Sequence, residues 1–413
     1  MDASGRGAAG QFRVPYPARM CSYTEEEIEA VVGVMRSAAS LSQGEWQAQF
    51  ESDFRAYAGV EHAFAVSSGT AALRLAATIC GLASGDEVIV PAYTFCATAV
   101  AIGSTGATLV WADIDPHTRT VCPDDIARKI TSRTKAIVAV HLLGMPCDMD
   151  RIMQLAADHR LRVIEDCAQA PGALYRGRRV GSIGDIGCFS FNGAKNITTL
   201  GEGGMLTLRH GGDAALVPGL RHTGVRPFPA NRQRYWVPAM SNVDLDVEGV
   251  WPFKFCLTEP QAALGCLLLK RLDRINSTLR RQYDALRERL RRCELLSSAE
   301  APPDREHAAH AFVVSFDEEK AGISRDEFMD VLANRYGIRV IVQYYPLYKY
   351  PLFQKMGFAH ADCPNLERYW PTSYSYPWWC GMAESDLDYL ADSTYSAAKE
   401  FSRARVSPGH GLD

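Results

Sequence analysis

The sequence predicts an α/β protein built on a parallel, doubly wound sheet covered by helices on both faces. Two observations predict it. Between residues 24 and 166, helix-period patterns alternate with short β-branched runs, the signature of strands joined by crossover helices. Near Trp251 the pattern changes to a long Arg- and Leu-rich helix and a more mixed region, so a second, smaller unit follows the first. With 413 residues and 47% hydrophobic side chains, the chain is long enough for two such units, and no internal repeat or low-complexity tract argues otherwise.

The elements follow in order. Thr24 can cap a first helix, with Glu25, Glu26 and Glu27 favourably placed in its first turn. A second helix, 71–80, is entered from Ser67-Ser68-Gly69-Thr70. Strands are expected at 87–90, 108–111 and 135–141, then a helix at 149–159 and a short strand from 161 ending at Glu165-Asp166. Residues 188–191 are strand-like. The long helix runs from 258 to about 293, strands follow at 310–316 and 338–342, and a last helix spans 385–400. This divides the chain into an arm (1–22), a large unit (23–255), a small unit (256–406) and a tail (407–413), with the first eleven and last seven residues read as mobile ends.

Composition excludes several functions. The formal charge is −4, from 44 basic and 48 acidic side chains without a long run of either, so nothing marks a nucleic-acid or membrane-surface partner. Residues 88–112 are uncharged, but Pro91, Gly103, Gly106 and five Ser or Thr side chains make strand, turn, helix and strand the better reading than a span. The N-terminus has no apolar secretory region. Twelve cysteines include no CxxC and no zinc spacing with histidine, so they read as buried thiols in a reducing cytoplasm, with no metal site.

Four segments can carry chemistry. Gly181-Ser-Ile-Gly-Asp-Ile-Gly187 has GxxGxxG spacing and precedes a strand, which argues against a dinucleotide loop. Ser67-Ser68-Gly69-Thr70-Ala71 feeds a helix and is either an ordinary cap or a phosphate cradle of free N–H groups. Glu165-Asp166 ends a buried strand, where open α/β sheets keep their ligands; it is a salt-bridging pair or a carboxylate awaiting a cation. Lys195, amid Phe189-Ser190-Phe191-Asn192-Gly193-Ala194 and Gly201-Glu202-Gly203-Gly204, is a solvated lysine or an amine held near a ligand, able to form a Schiff base. Cradle, buried Asp and Lys together meet the physical demands of pyridoxal 5′-phosphate. The Asp would keep the ring nitrogen protonated, and the Lys would hold the aldehyde and move protons.

The segments SSGTAAL (67–73), PAYTFCATA (91–99), VIEDCAQAPGALYRGRRVGSIGD (163–185), FSFNGAKNITTLGEGG (189–204) and LTEPQAALG (257–265) make the chain resemble the DegT/DnrJ/EryC1/StrS sugar aminotransferases, from about Tyr23 to the last helix. That resemblance implies the aspartate-aminotransferase fold (fold type I), with a large doubly wound, mostly parallel sheet domain and a smaller α+β C-terminal domain. It implies a homodimer with shared sites, and transfer of an amine from L-glutamine or L-glutamate to a ketone. Lys195 matches the cofactor-bearing lysine, Asp166 the partner of the pyridine nitrogen, Gln169 the neighbour of the 3-hydroxyl and Phe95 the stacked ring. Gly69, Thr70, Ala71 and Ser190 match the phosphate contacts.

Two segments depart from the family pattern. Phe253-Lys254-Phe255 replaces the usual segment reaching the partner's phosphate, which makes Lys254 the candidate. Pro346-Leu347-Tyr348 replaces one that often holds His. The tyrosine-rich run 343–353, with Tyr345 and Tyr348 as substrate contacts, is similar to those of inosose aminotransferases. It suits a small polyol, which makes a ketocyclitol of an aminocyclitol antibiotic pathway the first expectation for the acceptor. A nucleotide-linked 4-keto or 3-keto sugar is the alternative, with Arg226 and Arg232 as possible contacts. An aromatising aminohydroxybenzoate-synthase-like enzyme, a dehydratase (against which Lys195 argues) and a non-catalytic homologue are the remaining readings.

Overall fold

The computed structural model of the chain describes residues 12–226, 234, 236 and 238–404; the expected mobile ends, 1–11 and 407–413, and Arg232 lie outside them. Helix α1 (Glu25–Ser37) begins as expected. Thr24 Oγ1 accepts from the Glu27 N–H at 3.3 Å, and Glu27 Oε2 accepts from the Thr24 N–H at 2.8 Å, a complete capping box. Helix α2 (Glu45–Ala58) has no cap of its own. The buried Glu259 carboxylate supplies one from across the fold, accepting from the N–H groups of Gly44, Trp46 and Gln47.

A seven-stranded sheet forms the centre. It comprises β1 (His62–Val66), β2 (Glu87–Pro91), β3 (Thr108–Ala112), β4 (Thr134–Val140), β5 (Arg162–Asp166) and two later strands, Ile186–Ser190 and Gly204–Leu208. The spatial order is β1, 204–208, 186–190, β5, β4, β2, β3. Pairing is parallel throughout except that 204–208 opposes both of its neighbours. The exception has a simple cause. Strand 186–190 is followed by a loop of only 13 residues, too short for the helical crossover that a parallel return requires. That loop contains Lys195. Strands β2, 186–190 and 204–208 are buried along their whole length, which explains their uninterrupted apolar character.

Helices α3 (Gly69–Ile79) and α4 (Ala97–Gly103) pack against one face. The long helix Glu259–Leu290 crosses behind the other side, contacting α1, α2 and the last helix, Glu384–Ala404. A three-stranded antiparallel sheet of Leu296–Ser298, Val313–Phe316 and Ser373–Ser375 follows it. Two expectations are corrected here. The strand expected from 310 starts only at Val313, because the N–H groups of Ala308 and His310 donate instead to Gly144 and Leu143. Residues 338–342 form no strand; Ile338 and Ile341 make single bridges to Val14 and Ser375.

The parallel strands end along one edge. There the carboxyl ends of β2, β5 and 186–190 and the amino end of α3 meet.

Candidate active site

The acidic pair divides between two jobs, because successive side chains leave a strand on opposite faces. Glu165 is fully buried and turns into the glycine-rich turn. It accepts from the N–H groups of Gly181 (2.8 Å), Ile183 (2.8 Å) and Gly184 (2.6 Å), and pairs with His141 Nε2 at 3.0 Å. His141 Nδ1 accepts from the Cys147 N–H, so its proton sits on Nε2 and points at Glu165. GxxGxxG is therefore a carboxylate grip. A Cβ at Gly181, where φ is +83°, would lie 2.2 Å from the Phe189 ring. With both ring nitrogens engaged, the His141–Glu165–Cys167 cluster keeps no imidazole lone pair for a cation.

Burial alone would push Glu165 up; the His141 bond and the backbone donors outweigh it and hold the carboxyl below its usual range. Its contribution to stability is thus complete above the unfolded carboxyl value of about 4.3 and disappears as pH falls through the lowered folded value. Glu165→Gln should cost about 3 kcal/mol at pH 7, since an amide cannot accept every one of these donors. Urea unfolding at pH 7 and at about pH 3.5 checks this; the gap between the proteins should narrow at the lower pH.

Asp166 faces the open edge and is 4% exposed. Its Oδ2 accepts from Thr98 Oγ1 at 2.8 Å and its Oδ1 from the Ala168 N–H at 3.1 Å, while Thr94 Oγ1 lies 3.1 Å from Thr98 Oγ1. Among the described residues no Lys, Arg or His nitrogen comes within salt-bridge distance of it. Burial pushes the carboxyl up, opposed by Thr98, Ala168 and the charge of Lys195. A buried carboxylate held only by neutral donors calls for a cation.

Lys195 supplies the complementary group. Burial pushes its amine down to about 8, against the pull of Asp166, and Nζ has no hydrogen-bond partner among the described residues. Its loop is fixed from both sides. The Gly193 N–H and Asn192 Nδ2 donate to the Gly201 carbonyl. Behind it, Asn196 Nδ2 donates at 2.8 Å to both Asn276 Oδ1 and the Ala308 carbonyl, and Asn276 Nδ2 donates at 2.8 Å to the Pro171 carbonyl.

The other expected residues surround this pair. Ser68 Oγ caps α3 on the Ala71 N–H at 3.1 Å, so at this helix start the Gly69 and Thr70 N–H groups remain for a ligand and that of Ala71 is taken. A Cβ at Gly69 would lie 2.8 Å from Ser190 Cβ; that close approach sets Ser190 beside the helix start. Gln169 accepts from the Leu143 N–H at 2.7 Å and donates to Tyr344 Oη at 3.1 Å. Phe95, 53% exposed, sits 6.3 Å from the Tyr344 ring.

The tyrosine-rich run sorts differently from expectation. Tyr348 is buried and donates to Glu367 at 2.5 Å, which leaves its hydroxyl no substrate to meet. Tyr345 packs edge-on to Tyr350 and Trp370 at 5.4 Å. Tyr344 is the tyrosine that reaches Gln169, and Tyr93, which donates to the Gln343 carbonyl and accepts from the Tyr344 N–H, fixes it there. Sequence reasoning missed Tyr344, Thr98, Asn196 and His310; only the aromatic run and the position after Lys195 marked two of them. Arg226 donates to the Ala215 carbonyl.

Lys254 is exposed. The Phe255 carbonyl accepts from the Ser67 N–H at 2.8 Å, holding the segment beside the start of α3. Phe253 and Phe255 stack at 4.8 Å on one side of the strand-like segment, and Lys254, by alternation, leaves on the other.

This donor set fits pyridoxal phosphate: Asp166 for a protonated ring nitrogen, Lys195 for the aldehyde, Phe95 for the ring face, and Gly69, Thr70 and Ser190 for the phosphate. Comparisons with known proteins point the same way. Residues 22–394 match the model of the DegT/DnrJ/EryC1/StrS aminotransferase family. The chain is 38% identical over 377 residues to the spore coat polysaccharide biosynthesis protein SpsC of Bacillus subtilis (strain 168), covering 91% of this chain and 95% of that protein. It is 35% identical over 350 residues to the GDP-perosamine synthase of Escherichia coli O157:H7, covering 85% and 90%. Its structure matches S. venezuelae DesV in complex with a ketimine intermediate, with a TM-score of 0.79 at 30% identity, over 91% of this chain and 94% of that one.

Proposed function

We propose that this chain, which belongs to the DegT/DnrJ/EryC1/StrS aminotransferase family, moves an amino group from L-glutamate or L-glutamine to a ketone on a nucleotide-linked sugar ring. That it is an aminotransferase of fold type I, with pyridoxal phosphate as cofactor, follows from that membership and from the DesV likeness. The single observation carrying the reading of the site is that Asp166, buried without a cation, and Lys195, an amine depressed to about 8, act on each other's charge.

When bound, the cofactor supplies an electron sink for carbanion chemistry. The protein does the rest. Asp166 keeps a ring nitrogen protonated, and Thr98 and the Ala168 N–H hold its carboxylate in place. Phe95 would cover one ring face, and Gln169, which donates to Tyr344, would present its amide edge to the ring. Lys195 Nζ, about half neutral near pH 8, would take the proton from the donor's α-carbon and later deliver one to the acceptor carbon.

A free ketocyclitol is the second reading. What supports it is the small cavity that Ala194, next to Lys195 in the chain, lines with Tyr16, Arg19 and Gln343, whose volume of about 50 Å³ suits a ring without a nucleotide. The two readings separate in one experiment. Load the protein with amine from glutamate or glutamine, then follow loss of the pyridoxamine absorbance with a GDP-linked 4-keto-6-deoxyhexose and with scyllo-inosose. Turnover of the first supports the leading reading; turnover of scyllo-inosose alone replaces it with the second.

The site is further proposed to be shared between two copies. What supports this is that Lys254 is exposed and that the same stretch exposes Met240, Leu245, Val250 and Trp251, the last 88% exposed. Lys254 would then reach the other copy's phosphate. Lys195→Ala and Lys254→Ala chains, each weak alone, should recover about a quarter of wild-type activity when mixed and exchanged, because half of the dimers are then heterodimers and one of the two sites in each has both residues intact. No recovery after confirmed exchange would count against sharing.

A further inference from the structure

Asn196 fixes more than the lysine loop. Its Nδ2 donates to Asn276 and to the Ala308 carbonyl, so its Oδ1 is left as the acceptor, and His310 Nδ1 lies 3.1 Å from that oxygen. His310 must therefore carry its proton on Nδ1, which leaves Nε2 a lone pair. Burial and the nearby Lys195 charge hold the ring well below its usual value, in keeping with a neutral imidazole. Among the described residues Nε2 makes no hydrogen bond. His310 lines a cavity of about 50 Å³ together with Tyr16, Arg19, Ala194 and Gln343. Gln343 brings a second unsatisfied acceptor, since its Oε1 is buried without a hydrogen-bond partner.

Two acceptors without donors, in a cavity also lined by Ala194 next to Lys195 in the chain, are costly unless a ligand brings the donors. A carboxylate or phosphate brings only more lone pairs to these two atoms and leaves both without a donor, whatever Arg19 contributes at the cavity wall. Hydroxyl groups on a ring satisfy both. The volume suits the edge of one ring, room for on the order of three or four waters, and excludes a nucleotide.

We infer that this cavity is a hydroxyl-reading subsite for the acceptor ring, in which two ring hydroxyls donate to His310 Nε2 and Gln343 Oε1. The inference rests on the aminotransferase reading and deepens it. It places the ring of the acceptor against the N-terminal segment 16–20 and leaves any nucleotide to extend away from it. Gln343 and His310 would be specificity-determining residues for the second half-reaction.

The test uses the pyridoxamine-loaded protein with scyllo-inosose and with a GDP-linked 4-keto-6-deoxyhexose, each beside a congener lacking one ring hydroxyl. Gln343→Met keeps the length and removes the acceptor. It should raise KM for the keto acceptor about 10- to 50-fold while the donor half-reaction changes less than about two-fold. The deoxy congener should lose a similar factor on the wild type and nothing further on Gln343→Met. His310→Gln, which keeps a donor and an acceptor, should recover most of what His310→Phe loses. An unchanged acceptor KM in Gln343→Met, with no penalty for any deoxy congener, overturns the subsite. Failure of the wild type to form pyridoxamine from glutamate or glutamine would overturn the underlying reading, and the subsite with it.

Discussion

Lys195→Ala is expected to lose on the order of 10⁴-fold in turnover, because one amine both holds the cofactor and carries the proton in each half-reaction. Borohydride treatment of the wild type should bleach its visible band and fix the cofactor on the peptide containing Lys195; the variant should give no such adduct. The geometry also sets a pH for the amine. In cofactor-free protein, reductive methylation of Lys195 should rise through a midpoint near 8, whereas a solvated lysine titrates near 10.4. Asp166 pulls that midpoint upward, so Asp166→Asn should move it lower still. A Lys195→Ala protein with near-normal turnover, or a midpoint above about 10, would remove this lysine from the centre of the reaction.

Asp166→Asn should retain part of its cofactor and lose about 10³-fold in kcat, a smaller loss than the lysine's because the proton carrier survives. An amide in place of this carboxylate stabilises no cation. The pyridine nitrogen then loses its proton and withdraws electrons poorly. Nitrogen NMR of labelled cofactor reads this directly, as a shift from protonated to neutral ring nitrogen between wild type and variant. The neighbouring carboxylate offers the control. Glu165→Gln should act on stability, through its grip on the glycine turn, while the cofactor that remains bound keeps its protonated ring.

How much of this was legible in the sequence depends on distance along the chain. Elements decided locally, such as the Thr24 capping box and the helix at Met149–His159, could be read because capping chemistry and periodicity lie within a few residues. Lys195 and Asp166 were legible as types in context, one after a short apolar strand and one at the end of a buried one. What each acidic residue of the pair would do was not, since it depends on which face of β5 meets the 181–184 turn. The same holds for the tyrosines. Tyr344, Tyr345 and Tyr348 are alike in sequence, and only Glu367 and Gln169, brought from elsewhere, decide which hydroxyl is occupied and which lies at the site. Residues 338–342 have a pattern that permits pairing, but they meet the edge strand Ser373–Ser375 only through the Ile341–Ser375 bridge, with Ile338 bridged instead to Val14.

Asn276 has a dynamic consequence. Lying mid-way along the 32-residue helix Glu259–Leu290, it receives Asn196 from the lysine loop and donates to Pro171, just beyond Gln169. Both loops are thereby lashed to one rigid rod. Thermal excursions of that rod carry Lys195 and the Asp166–Gln169 segment as a unit, so their separation is preserved while the rest of the molecule breathes. Opening the rod at its middle releases both together. Amide protons in the two loops, though some 25 residues apart in sequence, should therefore exchange with solvent through one shared opening event. Asn276→Ala should split that event into two, each faster than the original.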